Sequence, residues 1–157
     1  MHLSSRTDIA APLSFVFASL SDFDGWERAA LRRGADVTRT DKLRSIAPGM
    51  AWQAKFRFRG KDRELTAKLT EYEVDSRMSF TALGRMIEGN GVLEVVSLAP
   101  NRTRLVVHLD VKPITLGARL VIQSAKLAKG KIQAKFNRRL AQFALELEQR
   151  YASTRHR

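Results

Sequence analysis

The 157-residue chain has no cysteine, which excludes disulfides, thiol nucleophiles and thiolate zinc sites. It has three histidines, and His2 and His156 lie at the termini with His108 alone in the interior of the sequence. A histidine metal cluster and a serine-type triad therefore lack their parts. No GxxxxGK or GxGxxG loop is present to cradle phosphates, so nucleotide binding has no support and no cofactor is expected. No apolar run approaches the roughly 18 residues of a membrane-crossing helix. The opening MHLSSRTDIAAPLSF also has no apolar stretch behind a basic segment, and the reading is a soluble cytoplasmic protein.

What the chain does have is length for one domain and a large positive charge. A chain of this size buries roughly 70% of its unfolded surface, enough for a core without staples. Residues 1–157 are accordingly read as a single domain. The net charge is +12, and residues 112–157 carry 11 Lys/Arg against two Glu. Such a field favours anionic partners and also keeps a protein dissolved.

Hydrophobic periodicity divides the chain into sheet and helix. In MAWQAKFRFR, Met50, Trp52, Ala54, Phe56 and Phe58 alternate with Gln53, Lys55, Arg57 and Arg59, the pattern of a half-buried antiparallel strand. Strands are expected at 3–9, 35–39, 50–59, 63–74, 78–83, 87–98 and 103–111. Short turn sequences such as Pro48-Gly49, Gly60-Lys61-Asp62, Asp75-Ser76-Arg77 and Pro100-Asn101-Arg102 predict a meander from residue 50 onward. Two short helices fit between the first two strands, with Pro12 in the first turn of one and Ser21, Asp22 and Asp24 supplying cap chemistry for the other. Gly34 ends the pair.

From Leu116 to about Tyr151 the spacing is helical and proline-free. Ala118, Val121, Ile122, Ala125, Ile132, Phe136, Leu140, Phe143 and Leu147 share one stripe of a single long helix lying on the sheet. Past its first residues, Gly130 is the only breaker. A second stripe of Leu116, Leu120 and Leu127 predicts that the first half is covered on two sides. The order of elements makes an α+β protein.

That order resembles the helix-grip fold of the START-like (SRPBCC) superfamily, closest to its polyketide-cyclase-like bacterial members. The segments carrying the likeness are TDIAAPLSFVFASLSDFDGWE and PNRTRLVVHLDV. The resemblance implies a curved antiparallel sheet wrapped around the long C-terminal helix, with two short helices after the first strand. It also implies a cavity between sheet and helix for lipids, sterols, polyketides or other apolar molecules. It carries over no catalytic residue, because the superfamily has no universal catalytic motif.

On this reading Trp52, Phe56, Phe58, Met78 and Phe80 line the cavity from the sheet, and Ile122, Ala125, Lys129 and Phe136 from the helix. The helical wheel puts Lys129 inside the apolar stripe, where it can pair with an anionic ligand group. A kink at Gly130, or a snorkelling stem, turns it to water instead. Glu88, Asn90 and Glu94 share one strand face and can move a proton if that face points inward. Leu93 and Val95 argue for the opposite face, and Gly89 and Gly91 mark a candidate bulge. His108 and Asp110 belong opposite the apolar row of the last strand.

The basic stretch from Lys126 to Arg139 has interleaved apolar residues, as an interfacial helix has. Lys131, Lys135 and Arg138 are its candidate contacts to an anionic membrane surface. Nucleic acid is not expected, since the RRM stacking signature and a helix-turn-helix pattern are absent. The expected function is binding of a small hydrophobic or amphipathic ligand. The alternatives are a cyclase or dehydratase using Lys129 or Glu94, and a docking protein acting through its basic helix. The chain is read as a monomer or homodimer.

Overall fold

A computed structural model of the chain describes residues 1–155. Strand β1 (His2–Ile9) is followed by helices α1 (Leu13–Leu20) and α2 (Phe23–Arg32). Strands β2 (Asp36–Arg39), β3 (Ala51–Phe58), β4 (Lys61–Glu73), β5 (Arg77–Gly84), β6 (Ile87–Ala99) and β7 (Arg102–Pro113) come next. Helices α3 (Leu116–Leu127) and α4 (Lys129–Arg155) close the described chain.

The strands form one antiparallel sheet in the order β1-β7-β6-β5-β4-β3-β2. The meander from β3 to β7 follows from alternation and tight turns. Arg59 and Gly60 both have positive φ, 52° and 74°, as a two-residue type I′ hairpin demands. The turn thus falls one residue earlier than the sequence suggests. β1 returns to pair with β7 from His2 opposite Asp110 to Ile9 opposite Thr103. The buried Thr103 hydroxyl locks this corner by donating to the Ala11 carbonyl at 2.8 Å.

Asp22 caps α2 by accepting from the Gly25 N–H, and Gly34 leaves the helix at φ +92°, the left-handed exit that favours glycine. The core joins Ile9, Leu69, Met78 and Leu105 of the sheet to Val16 and Phe17 of α1 and Leu147 of α4. Each such side chain contributes roughly 1.5–3 kcal/mol through burial.

Three expectations are corrected by the structure. The single C-terminal helix is two, and the break falls at Ala128 (φ −104°, ψ 19°), not Gly130, which lies within α4. α3 contacts β7 whereas α4 runs along β1, so the chain must change direction between them. The Leu116, Leu120 and Leu127 stripe is exposed, not covered, because α3 buries only Ala118 against the rest of the molecule. Gly89 and Gly91 sit in continuous register, and the irregularities fall at Leu69/Glu71 and Ser97/Ala99.

Candidate ligand-binding face

Register fixes which side chains share the face turned toward α4. Ser5 on that side of β1 donates to Asn137 of α4 at 2.6 Å. Following the pairs across the sheet, Val107, Leu93, Met78 and then Leu69, Phe80, Ala67 and Trp52 lie on the same side. On β2–β7, this face carries no Asp, Glu or His. α4 makes its principal sheet contact with β1, so Ala54, Phe56, Leu65, Ala67, Phe80 and Ala82 toward the other edge remain only half-buried. The result is an apolar floor that α4 leaves partly uncovered.

One end of that floor is filled. Phe23 of α2 packs on Trp52 at 5.2 Å and on Phe80 at 6.1 Å between ring centroids. The Trp52 indole N–H donates to Glu27 at 2.9 Å, which ties β3 to α2. Arg39 lies over the indole at 5.8 Å and is neutralised by Asp41. The Arg39 guanidinium, with the backbone N–H groups of Ala51 and Leu43, holds the Asp41 carboxyl far below the ordinary carboxylate range.

The other end is different. Arg63 pairs with Phe56 in register and so shares the apolar floor, beside Leu65. Its Nη1 donates to the Met86 sulfur at 2.7 Å, and its buried Nε has no hydrogen-bond partner. Among the described residues Arg63 forms no ion pair. A half-buried guanidinium with no carboxylate partner offers donors to an anionic ligand group. The sequence held a signal for it, since Arg63 has the parity of Leu65, Ala67 and Leu69.

The other residues singled out in the sequence disperse. Trp52 and Met78 are buried, Phe56, Phe80, Ile122, Ala125 and Phe136 are half-buried, and Phe58 is half exposed. Lys129 is exposed at the start of α4, because the break at Ala128 invalidates a helical wheel drawn through it. Glu94 lies opposite Arg77 and Val106 on the convex face, as do Glu88 and Asn90. His108 and Asp110 are also convex, where His2 and His108 stack at 6.0 Å. His156 lies outside the described residues.

Two recesses lie among the helices. One of about 770 Å³ separates α1 and α2 from the C-terminal half of α4, with Phe15, Trp26 and Phe143 as its apolar part and Asp22, Arg28, Arg32, Glu146 and Arg150 around them. Charges of both signs make it a poor host for an apolar body, which would have to desolvate them. The second, of about 360 Å³, is lined by Arg33, Lys135, Arg138, Arg139 and Gln142. It gathers Lys135 and Arg138, while Lys131 lies elsewhere on the exposed helix surface.

The sheet, the two N-terminal helices and the long C-terminal helix define an α+β helix-grip fold. The sequence profile described as polyketide cyclase / dehydrase and lipid transport matches residues 1–148, and the chain belongs to that family. No curated protein matches it in sequence. Its fold is similar to that of TTHA0849 from Thermus thermophilus, at 18% identity and TM-score 0.64 over 98% of this chain and 99% of that one. The Zhui aromatase/cyclase from Streptomyces sp. R1128 aligns at 17% identity and TM-score 0.59 over 73% and 69% of the two chains. A START superfamily protein from Mycobacterium smegmatis aligns at 13% and 0.56 over 85% and 95%. At these identities the likeness shows the fold alone. Among the described residues no helix is long and apolar enough to cross a membrane.

Proposed function

We propose that the protein binds a small amphipathic molecule, an apolar body bearing one carboxylate or phosphate, on the concave face between the sheet and α4. The observation that carries this is Arg63, a guanidinium with a buried, unpartnered Nε beside Phe56 and Leu65 on the concave face. The apolar body lies along Phe56, Leu65, Ala67, Phe80 and Ala82, and the anionic group takes the free donors of Arg63. Membership of a family that includes cyclases and lipid carriers supports a hydrophobic ligand.

Binding is favoured over a cyclase or dehydratase reaction by what the floor contains. Its β2–β7 positions hold no carboxylate or imidazole to move a proton, and Glu94 and Lys129 project elsewhere. Native mass spectrometry of the purified protein, with organic extraction and a thermal-shift panel of fatty acids and their alcohols, tests the reading. A bound amphiphile, or stabilisation by the acids above the alcohols, supports it. A bare mass with no shift against either series overturns it.

A further inference from the structure

Helix α3 faces outward with the wrong residues for water. At about 100° per residue, Leu116, Leu120 and Leu127 fall on one side, and they are 72%, 58% and 92% exposed. Gln123 shares that side and Arg119 and Lys126 flank it, while Ala118 is buried on the opposite side. Ile114, just before the helix, is half exposed as well. Scattered exposed leucines are ordinary, but an aligned row on one helix marks an interaction surface.

The charge around the row identifies its partner. From Val111 to Leu145 the chain holds eight Lys/Arg and no Asp or Glu. Arg119 and Lys126 border the leucines, and Lys129 and Lys131 follow at the exposed start of α4. A two-fold contact between copies through this face would set these cations against their own counterparts. An anionic bilayer satisfies both requirements, with acyl chains for the leucines and headgroups for the cations.

We infer that α3 and the first turn of α4 dock on an anionic phospholipid surface, with Leu116, Leu120 and Leu127 entering the acyl boundary and Arg119, Lys126, Lys129 and Lys131 at headgroup level. The element lies in the interface plane and does not span, in keeping with its length and charge. This inference needs no bound ligand, and occupancy of the concave face is measured without vesicles.

Cosedimentation with vesicles of equal parts phosphatidylcholine and phosphatidylserine, compared with phosphatidylcholine alone, is the test. The wild type sediments with the anionic vesicles only, and added salt weakens the association. The triple variant L116Q/L120Q/L127Q loses about tenfold or more in partitioning with its melting temperature little changed, since the three side chains are mostly exposed. Independently, Leu127→Trp shifts its emission to the blue on anionic vesicles. The inference is overturned if the wild type stays in the supernatant, or if the triple variant binds as well as wild type, which leaves electrostatic adsorption alone. It is also overturned if the triple variant converts a dimer to a monomer in sedimentation velocity, which would make a second copy the occupant.

Discussion

Arg63 meets the sulfur of Met86 at 2.7 Å where the apolar floor nears α3, and its Nε has no acceptor. A sulfur is a weak acceptor for a guanidinium, so an incoming carboxylate would gain charge-assisted hydrogen bonds there at little cost to the protein. Arg63→Gln is expected to weaken binding of a fatty acid about tenfold or more while changing that of the matching alcohol less than about twofold. Calorimetric titration of both ligands into both proteins checks it. Arg63→Met should hold or raise the melting temperature, because it breaks no ion pair.

Thr103 tests the corner where β1 joins the helices. Its hydroxyl is fully buried and donates to the Ala11 carbonyl. Thr103→Val preserves the shape but leaves that carbonyl unpaired, at a cost of about 1–3 kcal/mol. Urea unfolding should show the loss as a lower midpoint at unchanged slope.

Asp41 gives the acid limb of the stability profile. The folded state holds its carboxyl below the unfolded value of 3.8, first through Arg39 and then through the Ala51 N–H. Its stabilisation is therefore complete above that unfolded value and is lost as pH falls through the folded one. Asp41→Asn should lower the melting temperature at neutral pH and flatten its fall in acid, so that the two proteins converge at the lowest pH.

Gly130 lies in the first turn of α4 with open space where a Cβ would stand. Gly130→Ala should raise stability by about 0.5–1 kcal/mol without moving the break at Ala128. Thermal unfolding measures the gain.

The sheet was legible because strands such as β3 and β4 alternate and the turns carry Gly, Pro, Asn and Asp. The pairing of β1 with β7 has no local signal, since about a hundred residues separate the two strands. The α3–α4 break was hidden for a related reason. Leu127, Ala128 and Lys129 all favour helix, and only the need to follow β7 and then β1 turns the chain there. That hidden break also misplaced Lys129, whose phase was read through it. The concave face was half legible. Trp52, Phe56 and Phe80 announced themselves as an apolar row, whereas Arg63 is a charged residue at a strand start, where solvent is the usual destination.

The central claim is where the ligand lies. Backbone amide NMR titration of the protein with dodecanoate reports it residue by residue. The account predicts shifts concentrated at Ala54, Leu65, Ala67 and Ala82 with Arg63 among them, and their attenuation in Arg63→Gln. Shifts concentrated instead at Trp26, Ala29 and Phe143, in the groove between α2 and α4, would contradict it.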